Sequence, residues 1–235
     1  MIIAIHQPEF MPWLGYFDKM QKVDKYIVFD HVQFKKRYFE NRNRIKQGNT
    51  AVWLSIPVKT KGRYLQRINE VGIDNSSPWQ RKIWEKIKHC YLKSRYYNNY
   101  NEELETLLLS KKYDNLIDFN LTFIEWFRKI LNINTSMVFS SDMNVGGFRA
   151  SELILEICLR AGATDYLCGL SGKDYLKLDD FSAAGIEVKF QNFEHPKYEQ
   201  RGSEFIPYLS MLDMVLNCGF DSQQILFGSS GVRNE

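Results

Sequence analysis

The chain has 235 residues, which is enough for one large domain or for a core domain with a helical annex. Hydrophobic residues make up 44% and charged residues 25% of it, an ordinary balance for a soluble globular protein. The net charge of +3 does not by itself indicate nucleic-acid binding, and no apolar run approaches the ~20 residues of a membrane span. Because the first residues also lack the pattern of a signal peptide, we expect a cytoplasmic protein.

The first elements in chain order predict the opening of a parallel sheet. An apolar run at 2–5 predicts a buried strand, helical spacing of apolar residues follows at 14–23, and 26–29 predicts a second strand. Residues 31–49 are basic and are expected to be partly helical. Alternation at 52–58 predicts another strand.

The central and C-terminal parts predict further helices and strands. Residues 68–73 predict a strand, and Ser77-Pro78-Trp79 predicts a helix start with a serine cap and proline at the first helical position. The remaining predicted elements are helices from 79 to about 92 and at 102–109, 116–131, 150–161 (ended by Gly162) and 207–217 (ended by Gly219), with strands at 137–139, 165–168 and 186–190. The tail from Gly228 is expected to be mobile.

This order predicts a Rossmann-like, mainly parallel sheet flanked by helices. We expect one α/β domain over residues 1–235, with residues 77–133 as a helical insertion. The four cysteines are widely scattered without a Cys-x-x-Cys, which favours buried free thiols over metal or disulfide use. The four histidines show no metal-ligand spacing, so no metal site is expected.

The first predicted strand ends abruptly in two polar residues, His6 and Gln7, on a loop stiffened by Pro8 and Pro12. Ligands of open α/β sheets bind just beyond the carboxyl ends of strands. Histidine can act as an acid or base near neutral pH, and glutamine offers both a donor and an acceptor. We therefore expect a binding site here, against the alternative that His6 is a satisfied core histidine.

The rest of this loop offers substrate-binding candidates. Gly15 would let a ligand approach the backbone at a helix start, and Trp13 or Tyr16 could stack on a nucleotide base or belong to the core. Residues 12–16 also resemble the Pro-x-His-x-Gly-His motif of nucleotidyltransferases and pantothenate-synthetase-like enzymes. Aromatic residues stand where that motif has histidines, so the similarity leaves ATP open as a cofactor.

A basic run after the second strand predicts an anion site, against the alternative of a solvated face. Six cations fall within twelve residues, interleaved with aromatic residues: Lys35, Lys36, Arg37, Arg42, Arg44 and Lys46. Arginine binds a diphosphate through bidentate hydrogen bonds and lysine binds it as a point charge. If the run is helical, Arg37, Asn41 and Arg42 share one face. Nucleic acid is not expected, because the cluster does not extend along the chain.

Two later segments offer weaker candidates. Gly169, Ser171 and Gly172 follow a strand and predict either an anion-binding turn or a tight turn with a helix cap at Ser171. Their spacing is not that of a Walker loop. Tyr198 and Gln200 lie on a proline-stiffened loop, where they could orient a ligand or serve local packing. Ser210 and Asp213, three residues apart on a predicted helix, leave the same two options open.

Taken together, these segments resemble the WbqC-like family. The matching stretches are residues 6–17, 33–44, 53–57 and 166–175, then Tyr198, Ser210, Asp213 and Gly219. The resemblance implies a place in O-antigen, lipopolysaccharide or other surface-polysaccharide biosynthesis. It also implies a reaction in which an amino acid such as glycine is attached to the amine of a nucleotide-linked amino sugar.

The sequence therefore favours an α/β transferase that forms an amide on a nucleotide-linked amino sugar. His6 is the expected base, and Gln7 and Ser171 are expected to hold the acyl oxygen. Lys35, Arg37 and Arg42 would bind the diphosphate. The acyl donor would be an amino acid activated by ATP or by a carrier, and exposed aromatic residues would support a homodimer. The alternatives are an ATP-dependent nucleotidyltransferase or adenylate-forming ligase, and a non-catalytic sugar-nucleotide-binding module.

Overall fold

A computed structural model describes residues 1–228, and the tail predicted to be mobile lies outside them from residue 229 onward. The chain divides into two compact units. The sheet unit comprises residues 1–8, 15–32 and 133–194, and the helical unit comprises residues 9–14, 33–132 and the chain from His195 onward.

Seven strands and eight helices make up the described chain. The strands are β1 (Ile2–His6), β2 (Lys25–Val28), β3 (Arg42–Gln47), β4 (Thr50–Ser55), β5 (Ser136–Phe139), β6 (Asp165–Cys168) and β7 (Glu187–Phe190). The helices are α1 (Leu14–Gln21), α2 (Trp79–Tyr91), α3 (Tyr97–Leu109), α4 (Leu116–Ile130), α5 (Ala150–Ala161), α6 (Leu178–Ala183), α7 (Met211–Cys218) and α8 (Ser222–Phe227).

The sheet unit is built on a five-stranded parallel sheet in the order β5-β2-β1-β6-β7. Parallel strands that are covered on both faces have continuous apolar sequences, and β1 has such a sequence. Ile3 and Ile5 of β1 belong to the same core cluster as Ile154 and Ile157 of α5. Helix α5 ends at Gly162, whose left-handed φ of 71° lets the chain turn back into β6.

The helical unit combines the antiparallel hairpin of β3 and β4 with helices α2, α3, α4, α7 and α8. Its packing is rich in aromatic rings. The buried ring of Phe119 on α4 has its centroid 5.7 Å from that of Phe10, 5.1 Å from Trp79 and 4.7 Å from Tyr113. Such tilted and edge-on pairs stabilise a core beyond the area that they bury.

The Rossmann-like parallel sheet flanked by helices is confirmed, and three local predictions are wrong. Residues 31–49 contain no helix: turns lead into β3, which pairs with β4 across a tight turn at Gly48. Residues 68–73 form a short 3-10 turn and isolated bridges, not a strand. At the start of α2, Pro78 lies at the cap position without a side-chain cap bond, so Ser77 is not the cap.

The single domain with residues 77–133 as a helical insertion stays a prediction. In the structure these residues supply helices α2, α3 and α4 of the helical unit. Among the residues described, no helix is both long and apolar enough to cross a bilayer.

Gly172, in the turn after β6, is required by close packing. A Cβ at this position would lie 2.2 Å from the Cys168 Sγ and 3.1 Å from a Leu176 methyl carbon. We expect Gly172→Ala to lower the free energy of unfolding by about 1–3 kcal/mol, the usual cost of overpacking a core. The shift in the urea or guanidinium unfolding midpoint measures this.

Gly146→Ala is the matched control in the same unit. A Cβ there meets nothing within 4 Å and the φ is not positive, so the change should be neutral or stabilising by up to about 1 kcal/mol. Equal unfolding midpoints for the two variants would contradict the packing argument.

Candidate active site

The strand order places a topological switch point between β1 and β6. From β1 the chain proceeds to β2 and then β5 on one side, and it later returns to pair β6 with the other side of β1. Ligands of doubly wound sheets bind in the crevice outside the carboxyl ends of the two strands at such a point. The carboxyl ends here are His6 and Cys168.

The strand register brings polar residues of several loops to this edge. Ile2 pairs with Asp165 and Ile3 with Tyr166, and the same register continued along the strands sets Gly169 level with His6. On the far side, Cys168 pairs with Phe190, so Gln191 follows level with Gly169. The sheet thus lines up His6, Gly169 and Gln191 across three adjacent strands.

His6 lies partly buried at the end of β1, with its Nδ1 shielded from solvent. Its ring centroid is 4.9 Å from that of Tyr16. Desolvation and, secondarily, the positive charge of Lys19 lower the pKa of His6 well below its ordinary value. The imidazole is therefore neutral at physiological pH and keeps the lone pair that a general base needs.

Lys19 of α1 brings a cation into the same region. Its side chain is buried, and a Cβ added at Gly169 would lie 3.4 Å from its Nζ. The absence of a side chain at Gly169 thus leaves room between the ammonium and the loop after β6. Lys19 received no role from sequence analysis, because a lysine on a short amphipathic helix ordinarily points to solvent.

Gln191 and Asp18 fix the start of α1 against the end of β7. The Gln191 Nε2 donates to the Asp18 Oδ2 and to the Gly15 carbonyl, both at 2.8 Å, and Lys22 Nζ donates to Asp18 at 2.9 Å. These bonds hold the helix that carries Lys19 in one position relative to the strand ends.

A second polar cluster lies at the neighbouring strand ends of β2 and β5. The Ser140 hydroxyl donates to the Asp30 Oδ1 at 3.0 Å, and the Ser141 amide donates to the same oxygen at 3.0 Å. The His31 Nδ1 lies 2.7 Å from the Ser140 Oγ. These bonds tie the two strand ends together beside β1. Sequence analysis gave none of these residues a role.

Comparison with known proteins identifies the family of this chain. The model of the WbqC-like protein family matches residues 7–225. The chain belongs to this family. It is also 30% identical over 225 residues to the uncharacterized protein Rv1507c of Mycobacterium tuberculosis (strain ATCC 25618 / H37Rv), an alignment that covers 95% of this chain and 96% of that protein. No solved structure matches it.

In this WbqC-like protein, the sheet unit holds His6, Gln7, Gly15, Tyr16, Gly169, Ser171 and Gly172. Gln7 and Ser171 have no hydrogen-bond partner within residues 1–228, and Ser171 is exposed. Tyr16 is 1% exposed and packs against Phe17 and Tyr26, so its ring supports His6 and is not accessible for stacking on a base. Gly172 serves packing against Cys168.

The helical unit holds Trp13 and the basic run. Lys35 and Arg37 are exposed, the Asn41 Nδ2 donates to the Ile56 carbonyl at 3.0 Å, and the Arg42 guanidinium lies 4.1 Å from the centre of the Trp53 ring. The helical face expected for Arg37, Asn41 and Arg42 is wrong, because Arg37 has a left-handed φ of 63° in a turn and Arg42 begins β3. The Trp13 ring centroid lies 5.7 Å from that of Tyr208.

Tyr198 and Gln200 converge on a buried carboxylate of the helical unit. The Asp213 Oδ2 accepts hydrogen bonds from Tyr198 at 2.9 Å and Gln200 at 2.8 Å, and its Oδ1 accepts one from Tyr91 at 2.7 Å. Ser210 caps α7 by accepting from the Leu212 amide at 3.2 Å. Sequence analysis named the loop pair and Asp213 but not their connection, since hydrogen bonds between distant segments leave no spacing signal.

We expect Lys19→Met to raise the pKa of His6 toward its ordinary value. Methionine keeps the length and burial of the side chain but removes the charge that disfavours a second cation. Histidine ring NMR titration measures the pKa, with His6→Gln identifying the resonance.

Lys22→Met, just after the end of α1, is the matched control and should leave the His6 pKa unchanged. Its ammonium pairs with Asp18 and does not contribute to the shift at His6. An unchanged titration in Lys19→Met would show that the ammonium does not act on His6.

Proposed function

We propose that this chain is an amide-forming transferase that passes an aminoacyl group, glycine or one like it, to the amine of a nucleotide-linked amino sugar in surface-polysaccharide biosynthesis. The observation that carries the proposal is a neutral, desolvated His6 at the switch point of a Rossmann-like sheet. Membership of the WbqC-like family is compatible with this chemistry. We expect the reaction to take place in the cytoplasm.

The proposed reaction needs a base that is unprotonated at neutral pH. The amine nitrogen of the sugar attacks the acyl carbon, the new C–N bond forms, and the bond from that carbon to the activating group breaks with its electron pair. The nitrogen loses one proton, which the neutral imidazole of His6 accepts. A histidine of ordinary pKa would be partly protonated near pH 6.5 and less available for this step.

Two side chains are available to stabilise the developing oxyanion. The Gln7 amide and the Ser171 hydroxyl have no internal partner in the described chain and follow β1 and β6, the two strands at the switch point. Donors aimed at the oxygen of a tetrahedral intermediate are a large contribution to acyl-transfer catalysis. We assign Gln7 and Ser171 to that oxygen.

A cation for the diphosphate of the substrate occurs in the sheet unit, where the buried Lys19 ammonium beside Gly169 supplies a point charge at low dielectric. Within the helical unit taken by itself, the exposed Lys35 and Arg37 and the Trp53-stacked Arg42 form a separate proposed anion site. Stacking on a ring limits the motion of a guanidinium and leaves its N–H groups free to bind an anion.

An ATP-dependent nucleotidyltransferase is the second candidate, favoured by one feature. The crevice at a switch point is where sheets of this class bind nucleotide phosphates. In that reaction the α-phosphorus of ATP would be attacked and pyrophosphate would leave. A non-catalytic sugar-nucleotide-binding module would use the same crevice without turnover.

Mass spectrometry after incubation with nucleotide-linked amino sugars and a pool of amino acids, with and without ATP, separates these functions. The proposal expects a sugar product heavier by one aminoacyl group. Pyrophosphate and AMP formed from ATP without a modified sugar would instead favour nucleotidyl or adenylyl transfer. Ligand binding without any product would leave the binding module as the function and remove His6 from the role of base.

We expect His6→Gln to lower kcat by roughly 10²- to 10⁴-fold, the usual contribution of a general base. KM should change little, because glutamine keeps a polar side chain that cannot act as a base. In the unmodified protein, the acid limb of the kcat/KM profile should lie below pH 6.5, since the pKa of His6 is lowered. A limb at the ordinary histidine value that persists in His6→Gln would assign the base to another group.

A further inference from the structure

The helical unit contains a polar cavity that the proposed reaction does not use. Its volume is about 230 Å³, roughly that of seven or eight water molecules in the liquid. Its walls come from the end of β3, the end of α2, the loop before α7, and α7 itself. The lining includes Lys46, His89, Tyr91, Arg201, Asp213 and Asn217.

The inner wall of this cavity is organised by Asp213. The carboxylate is fully buried and accepts hydrogen bonds from Tyr91, Tyr198 and Gln200, all neutral donors. The Asn217 Nδ2 donates to the Asp213 backbone carbonyl at 2.8 Å. The wall is therefore a pre-organised polar surface and not an apolar void.

Lys46 places a cation in the same wall. The side chain is 3% exposed, and its Nζ donates to the Gln200 Oε1 at 3.3 Å and to the Glu204 carbonyl oxygen, both neutral acceptors. Within residues 1–228, no carboxylate forms an ion pair with this ammonium, and Asp213 acts on it only at longer range. A buried cation is ordinarily paired with an anion, because desolvation of an unpaired charge is costly.

A second cation is held at the cavity by the loop before α7. Gly202 has a φ of +100°, and a Cβ there would lie 2.6 Å from the Asn49 Oδ1, so a side chain at this position would collide with the β3–β4 turn. The Asn49 Oδ1 accepts the Ser203 amide proton at 3.1 Å, and its Nδ2 donates to the Ser203 Oγ at 2.8 Å. These contacts fix the backbone next to Arg201, whose exposed guanidinium has no partner among the described residues.

We infer that this cavity binds a small organic carboxylate. Lys46 and Arg201 supply two positive charges, and a guanidinium fork matches the two oxygens of a carboxylate. The buried Asp213 opposes a second negative charge, which disfavours a phosphate dianion. The inference uses contacts within the helical unit and does not depend on the proposed transferase reaction.

Isothermal titration at constant ionic strength tests this, with acetate, glycolate and succinate as carboxylates and inorganic phosphate for comparison. We expect saturable binding of at least one carboxylate at one site per chain, and weaker binding of phosphate. Arg201→Gln should weaken the carboxylate about tenfold or more, the scale of one hydrogen bond to a charged group. Lys46→Met should weaken it at least as much.

Lys197→Gln is the matched control, since it removes one exposed cation of the same loop that does not line the cavity. It should bind like the unmodified chain, and thermal unfolding without ligand reports whether each variant is folded. Because Arg201 is exposed and unpartnered, its variant should remain folded. Three results would overturn the inference: no saturable carboxylate binding, a preference for phosphate, or equal binding by Arg201→Gln and Lys197→Gln.

Discussion

The parallel pairing of β1 with strands on both of its sides is the constraint on which the sheet unit depends. Because β1 is central, its apolar residues are buried on both faces, and the chain can become polar only where the strand ends, at His6. The connections that leave the carboxyl ends of β1 and β6 run in opposite directions, to β2 and to β7, which opens a crevice between them. The location of the candidate active site is thus a consequence of strand order, before any side chain is considered.

The chemistry of this crevice depends on how side chains are desolvated. Burial makes His6 a neutral base, and the nearby Lys19 charge acts in the same direction. The bonds of Gln191 to Asp18 and Gly15 fix the helix that carries Lys19. A histidine exposed to water would be more readily protonated and would be mobile. The position of His6, by contrast, is fixed by the fold.

The sequence allowed the sheet to be predicted well, because its signals are local. The apolar run of β1 and the Gly162 cap of α5 each carry a conformational preference within a few residues. The basic run was predicted as partly helical because its charge spacing fits a helix. The segment instead forms the β3–β4 hairpin around Gly48, because pairing of the two strands satisfies their backbone N–H and C=O groups. The spacing of the side chains does not show such pairing.

Sequence reasoning did not predict that two lysines are buried, and the reason is physical. Lys19 is 4% and Lys46 is 3% exposed, although lysine on a helix or hairpin ordinarily predicts a solvated face. Replacing buried charges by apolar side chains of similar size is often neutral or stabilising, so stability alone does not account for them. A cation kept out of water binds an incoming anion more strongly than the same cation at the surface. For Lys46, this cost to folding supports the proposal that the polar cavity binds an anion.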